Sequence, residues 1–180
     1  MSIDGLEFLT LGHRDVEKLF AEVHGGSGGK EEVIDKIVRE LSSHDAIERE
    51  LLYPLVRKHI PDNGEGLADH SIDEHEEAAR LLLEIGSTTS LSERDELLKQ
   101  LIAGVKSHVE VEEGQVFPQL REAIPQSELV DLRVELEATK RRAPHDPSPH
   151  GPRSGIGAKA ADVAGAAARL TVDSPHESES

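Results

Sequence analysis

One pattern occurs twice in the chain and limits what the chain can fold into. A histidine is followed four residues later by a glutamate, and five residues after that by an aromatic residue and a proline. The first copy spans residues 44–54 and the second spans residues 108–118. On a helix, residues four apart lie about 40° apart around the axis, so a single metal ion can contact both. The His–Glu pairs are His44–Glu48 and His108–Glu112, and the aromatic–proline pairs are Tyr53–Pro54 and Phe117–Pro118.

Apolar residues recur every three or four positions in four segments, which is the period of an amphipathic helix. The four stripes run over residues 6–23, 34–55, 68–85 and 98–115, and glycine- or proline-containing loops separate them. With short loops, such helices pack as antiparallel neighbours. We therefore expect an all-α fold, an up-down-up-down four-helix bundle, with a short fifth helix over residues 127–142. Pro54 should bend the second helix.

The composition changes at residue 143, where prolines, histidines and serines replace the apolar pattern. Such a segment has little to bury and cannot continue a helix. We expect a bundle domain over residues 1–142 and a flexible, largely disordered tail over residues 143–180. An alanine-rich stretch at 158–170 is marginal as an isolated helix.

Four histidines and two glutamates occupy positions in the apolar stripes, in the same order in each half of the bundle. Burying an unpaired carboxylate costs roughly several kcal/mol, and no lysine or arginine occupies any of the positions, three or four residues apart, that form the stripes. A metal ion then compensates the negative charge of each carboxylate, or the carboxyl group is protonated because its pKa is raised. Four imidazoles and two carboxylates suit two metal ions bridged by glutamate; hydrogen-bonded core residues without metal are the alternative. The six residues are His13, His44, Glu48, His75, His108 and Glu112.

Composition narrows the chemistry and the partners. The chain has no cysteine, so any metal ligands are nitrogen and oxygen. The formal net charge of -16 argues against a nucleic-acid partner. No apolar run approaches a membrane span, and the first residues lack the features of a signal peptide, so we expect a cytoplasmic protein.

The ordered set H…HxxxE…H…HxxxE, with an aromatic–proline pair after each HxxxE, resembles the hemerythrin-like, or histidine–histidine–glutamate (HHE) cation-binding, domains. The resemblance covers roughly residues 4–142 and implies two non-haem iron ions, oxo- or hydroxo-bridged, held by the six residues above. Two positions differ from the animal oxygen carriers. Ser71 stands where those carriers have a further histidine, and their last carboxylate falls one residue later, at Glu113. The missing imidazole implies a coordination position for water, peroxide or another side chain, and disfavours simple reversible oxygen transport.

Ferritin-like di-iron proteins use Glu-x-x-His pairs, and the sequence contains none. Glu17, one turn after His13, is interpreted as a flank residue, with a hydrogen bond to a ligating imidazole as the alternative. The remaining histidines have no argument for metal ligation. His59 and His70 fall off the stripes and are expected to be solvated; the others are His24, His145, His150 and His176.

Tyr53 breaks the symmetry of the repeat, because its counterpart Phe117 has no hydroxyl. In an ideal helix Tyr53 lies about 180° from His44, which favours simple packing away from the centre. Because Pro54 can distort that turn, Tyr53 is also a candidate ligand, hydrogen-bond donor or radical-quenching group.

Three functions remain open at this point. The first is a di-iron protein that binds O2, NO or peroxide, for sensing, scavenging or handling of iron and oxygen, with an unspecified redox partner. The second is a catalase- or peroxidase-like enzyme acting on H2O2. The third is a bundle that metal merely stabilises, for structure or partner binding. Imidazole-rich ligation suits iron, and zinc or manganese also fits the ligand type. The apolar lining predicts that only small ligands enter.

Overall fold

The computed structural model describes residues 3–24 and 29–147. Within those residues the chain is helical and contains no strand. Two π-helical turns, Glu48–Leu52 and Glu112–Val116, each join two α-helices into one continuous helix. The four long helices and the additional C-terminal helix confirm the predicted bundle. The α-helices are α1 (Gly5–His24), α2 (Lys30–Ile47), α3 (Tyr53–His59), α4 (Gly64–Ser87), α5 (Leu91–Val111), α6 (Phe117–Ala123) and α7 (Gln126–Lys140).

Helix α1 begins at a reciprocal cap and is fixed to the far end of the chain. The Glu7 backbone N–H donates to Asp4 Oδ1 over 2.9 Å, and the Asp4 N–H donates to Glu7 Oε2 over 3.0 Å, which is a capping box. The buried Asp4 carboxylate also accepts hydrogen bonds from Arg121 at 2.6 Å and Gln126 at 3.1 Å. This one carboxylate thus connects the start of α1 to α6 and α7.

The bundle has two apolar clusters with a polar layer between them. α1 packs against α2 and α7, and α4 packs against α5. One cluster includes Leu9 and Leu52, and the other includes Val16 and Leu82. Leu9 and Val16 flank His13 along α1, one turn to either side, so the predicted histidine layer lies at the junction of the two clusters.

Each π-helical turn is followed by an aromatic residue and then a proline. Proline lacks the backbone N–H and its ring clashes with the carbonyl four residues earlier. In both repeats the aromatic residue donates its N–H to the glutamate carbonyl five residues back, Tyr53 to Glu48 and Phe117 to Glu112. A π turn takes one residue more than an α turn, which rotates the following side chains by about 100°. The helix therefore continues past each proline, and the side chains after the π turn point in a different direction from those of an uninterrupted α-helix.

In the part of the chain that the structure describes, no helix is long and apolar enough to cross a membrane. Beyond α7, Ala143 is buried against the bundle. The predicted disorder of the tail, and the alanine-rich stretch at 158–170, fall outside the described residues, which end at Pro147.

Candidate metal centre

The fold brings the six predicted residues together in one layer, in which His75 is half-buried and the other five are buried. The single histidines lie in the middle of α1 and α4, and the paired histidines lie near the ends of α2 and α5. The two glutamates are the first residues of the two π-helical turns, and both are 0% exposed. The layer contains His13, His44, Glu48, His75, His108 and Glu112.

Their donor atoms form two sets that share Glu48. The first set is His13, His44, Glu48 and Glu112, and the second is Glu48, His75 and His108; one donor atom from each residue lies within 4.8 Å of the others in its set. Glu48 directs Oε1 to His44 Nε2 at 2.8 Å and Oε2 to His75 Nε2 at 3.3 Å. Glu112 directs Oε2 to His13 Nε2 at 3.4 Å and Oε1 to His108 Nε2 at 3.5 Å. Both carboxylates thus reach towards both sets.

Five of these buried atoms have no hydrogen-bond partner: His13 Nε2, His44 Nε2, both oxygens of Glu48, and Glu112 Oε2. Buried polar atoms in proteins are nearly always paired. His44 Nε2 is close to Glu48 Oε1, but the angle between them is not that of a hydrogen bond. These nitrogen and oxygen atoms converge without hydrogen-bonding one another, and a bound cation would satisfy them. The residues therefore fit a metal ion.

Three of the imidazoles have a carboxylate within hydrogen-bond distance of Nδ1, which fixes the orientation of each ring. His13 Nδ1 lies 2.8 Å from Glu113 Oε1. His75 Nδ1 lies 2.6 Å from Asp45 Oδ1, and His108 Nδ1 lies 3.0 Å from Glu74 Oε2. An Nδ1–H that donates to a carboxylate leaves Nε2 free as a ligand, and it strengthens that nitrogen as a donor.

The stripes did not predict these outer carboxylates. Asp45 follows His44 and Glu74 precedes His75, so both lie beside the apolar face and resemble ordinary flank residues. Glu17 is the flank residue that the sequence indicated. It accepts a hydrogen bond from Arg14 at 2.6 Å, while Glu113 takes the position behind His13.

His44 is the fourth imidazole of the layer, and its counterpart in the second half is His108. Glu74, the residue before His75, lies behind the His108 ring, whereas Gly12, the residue before His13, lies against the His44 ring. A Cβ placed on Gly12 would lie 2.9 Å from His44 Cε1 and 3.0 Å from its Nδ1. Gly12 therefore makes room for the His44 ring, and the two halves of the layer differ at this point.

Tyr53 lies in the layer, not on the far side of the helix. Its hydroxyl donates to Glu112 Oε1 over 3.3 Å and lies 3.3 Å from His75 Nε2. The π-helical turn accounts for this, because it rotates Tyr53 away from the position that an ideal helix gives. Phe117 takes the equivalent place, with its ring stacked on His13 at a centroid distance of 6.0 Å. Ser71, which is buried, neighbours the Tyr53 hydroxyl.

When no cation is bound, protonated histidines compensate the negative charge of the buried carboxylates. Burial lowers the pKa of His13, but the nearby carboxylates of Glu112 and Glu48 outweigh burial and raise that pKa to about 10. Burial also opposes the charged form of His108, whose pKa is raised to about 9 by the Glu112 carboxylate and by the hydrogen bond that His108 donates to Glu74. Burial would raise the pKa of Glu48, yet His44 and His13 hold it well below its ordinary value.

The metal-free protein is therefore expected to lose stability at high pH. The folded pKa values of His13 and His108 lie above the unfolded value of about 6.5. Their contribution is complete below about pH 6.5 and disappears as the pH rises through about 9 to 10. Thermal unfolding followed by circular dichroism should show a melting temperature that falls across this window, and less so in metal-loaded protein. An unchanged melting temperature in the metal-free protein would contradict the assignment.

The remaining histidines lie outside both donor sets. His70 has a 60% exposed side chain, 3.4 Å from Glu74, as expected for a solvated residue. His59, predicted to be solvated, is half-buried at the end of α3, and His145 is exposed. His150, His176 and the side chain of His24 are outside the described residues.

The fold and the convergent His–Glu layer define a metal-binding helical bundle. The chain belongs to the hemerythrin HHE cation-binding domain family: the family profile matches residues 4–129, more than half of the 180 residues. This confirms the resemblance seen in the repeated pattern.

Two curated proteins and one solved structure are similar to this chain. A protein named DNA nickase from Nostoc sp. (strain PCC 7120) is 29% identical over 76% of this chain and 39% of its own length. An uncharacterized hemerythrin-like protein of Schizosaccharomyces pombe is 24% identical over 66% of this chain and 59% of its own length. The chain thus spans less than two thirds of either relative. The crystal structure of an HHE domain-containing protein from Mycobacterium kansasii shares the fold, with a TM-score of 0.67, 20% identity, and coverage of 78% of this chain and 87% of that one.

Proposed function

We propose that the six residues of the layer hold two iron ions, one in each donor set, and that the pair binds O2, NO or peroxide. The observation that carries the proposal is the sharing of Glu48, whose two oxygens face different sets without hydrogen-bond partners. A single ion would not require that arrangement. Imidazole and carboxylate ligands in a cysteine-free chain suit iron, and the pair would supply electron exchange with the small ligand.

Tyr53 completes the second donor set in this proposal. That set has three protein ligands against four in the first, and the Tyr53 hydroxyl lies 3.3 Å from its His75 Nε2. Burial, followed by the charges of Glu48 and Glu112, raises the pKa of Tyr53 well above its ordinary value. Tyr53 therefore keeps its proton in the metal-free protein, and a cation would be needed to displace it.

The two sets should bind metal with different affinities. Both imidazoles of the second set have a carboxylate behind them, from Asp45 and Glu74, whereas His44 of the first set faces Gly12. Outer carboxylates of this kind typically change metal affinity by about 10- to 100-fold. These outer carboxylates favour the second set, whereas the number of protein ligands, four against three, favours the first.

Glu74→Gln tests this difference. We expect the variant to lose affinity for one ion by about tenfold or more, because His108 loses its charged partner, with the other ion unaffected. Glu84→Gln, an exposed change on the same helix, is the matched control and should bind metal like the wild type. Stepwise metal titration with a competing chelator gives both affinities. Equal weakening of both ions in Glu74→Gln would contradict the assignment of Glu74 to one set.

The second candidate function is turnover of H2O2, in a catalase- or peroxidase-like reaction. The Tyr53 hydroxyl favours it, because a fully buried phenol beside His75 and Glu112 places a titratable proton at the centre. The nicking activity named for the Nostoc relative belongs to a protein of which this chain spans 39%. DNA cleavage is not part of the proposal, and the net charge of -16 opposes contact with a phosphate backbone.

One set of measurements separates the three functions. Iron in the purified protein, with a near-ultraviolet oxo-iron absorption band that responds to NO, O2 or peroxide, supports the proposal. Oxygen evolution on adding H2O2 selects the catalase, and consumption of H2O2 only with a reductant selects the peroxidase. Tightly bound zinc with no response to any of these ligands leaves the structural bundle as the function.

A further inference from the structure

A chamber of about 790 Å³ lies beside the metal centre, between α2, α4 and α5. The rings of His44, His75 and His108 line its inner end, and apolar side chains such as Leu41 and Leu82 line its walls. Sites that hold drug-sized molecules have volumes of roughly 300–1,000 Å³. The chamber is thus much larger than O2, NO or H2O2 requires, and its size differs from the expectation that only small ligands enter.

Small residues on α4 and α5 leave this space open. Ala78, Ala79 and Gly104 lie along its wall, and a Cβ placed on Gly104 would meet no atom within 4 Å. The segment after α7 forms part of the rim through Pro144 and Pro147. The space is therefore a feature of the packed bundle, with an entrance beside the end of the described chain.

The entrance is acidic. Glu50, Asp73, Glu77 and Asp146 are exposed lining residues. The lining includes one arginine, Arg49, which is buried and ion-paired with Asp45. An anion would be repelled at this entrance. A cation would be repelled at the inner end by the metal ions, a step that rests on the proposed function.

We propose that the chamber binds an uncharged, mainly apolar organic molecule, with its apolar body against the α4 and α5 walls and its inner end facing the imidazoles. Apolar walls with a few polar groups at one end are the usual composition of a small-molecule site. The bound molecule would lie next to the metal centre, so it would meet whatever small ligand that centre binds.

Two fluorescent probes of the same shape test the proposal on the full chain. N-phenyl-1-naphthylamine is uncharged, and 1-anilinonaphthalene-8-sulfonate is its sulfonated, anionic relative. We expect the uncharged probe to bind once per chain and at least about tenfold more tightly than the anion. Tighter binding of the anion would overturn the proposed selectivity.

Gly104→Phe places a ring at the chamber wall and should weaken binding of the uncharged probe by about tenfold or more. Gly86→Phe is the matched control: Gly86 is also an exposed helical glycine with no atom near an added Cβ, and it lies outside the chamber lining. Equal probe binding in the two variants would overturn the proposal. If Gly104→Phe reduces helix content, Gly104→Leu provides the same comparison.

Metal content measured in the same samples separates this inference from the proposed function. Protein that contains no metal but shows the expected probe binding contradicts the metal proposal and supports the chamber. Protein that is loaded with metal and does not bind the uncharged probe overturns the chamber alone.

Discussion

Glu48→Gln is expected to lose both metal ions, with affinity reduced by more than about 100-fold, beyond the usual effect of losing an outer carboxylate. Each oxygen of Glu48 faces a different donor set, at 2.8 Å from His44 Nε2 and 3.3 Å from His75 Nε2. Glutamine has nearly the same shape, but its amide carries no charge and replaces one oxygen with NH2, which does not bind metal. Metal content after gel filtration, together with chelator competition, measures the loss.

Glu50→Gln is the matched control, since Glu50 lies in the same π-helical turn, is exposed and pairs with Arg142. It should keep the metal content of the wild type. If Glu48→Gln retained both ions, or if the two variants lost metal equally, Glu48 would not be the shared ligand.

Tyr53→Phe is expected to remove a visible absorption band from the iron-loaded protein and to weaken binding of one ion by about tenfold or more. The hydroxyl is the atom that lies 3.3 Å from His75 Nε2 and from Glu112 Oε1. The ring, which remains in the variant, maintains packing against His75 at a centroid distance of 5.8 Å. The spectrum and a metal titration should therefore change while the fold does not.

The assignment of the band is unusually direct, because Tyr53 is the single tyrosine of the chain. A phenolate-to-iron band has no other source. A band that persists in Tyr53→Phe, or a wild-type protein without such a band and with the same metal affinity as the variant, would show that Tyr53 is not a ligand.

The sequence predicted the bundle and the membership of the buried layer, because a helical period reports which residues share a face. The positions of His13 and Glu48 within their apolar stripes do not depend on how the helices pack against one another. The stripes also exclude His70, whose side chain is exposed. For these residues the information lies within one helix, and no neighbouring helix has to be known.

The features that the sequence did not predict depend on contacts between helices or on departures from an ideal helix. Asp45 and Glu74 bind imidazoles of other helices, so their role depends on how the hairpins pack. For Tyr53 the sequence left two alternatives, packing away from the centre or a place in it; the π-helical turn before Pro54 decides for the second. The chamber is lined in part by small residues, among them Ala78, Ala79 and Gly104, and an absent side chain leaves no periodic pattern.

Anaerobic titration of the metal-free protein with ferrous iron tests the central claim most directly. We expect two equivalents bound per chain in the wild type and in His70→Ala, and clearly fewer in His44→Ala, because His44 belongs to the first donor set and His70 to neither. One equivalent or none in the wild type, or equal loss of iron in the two variants, would contradict a two-metal centre built from these residues.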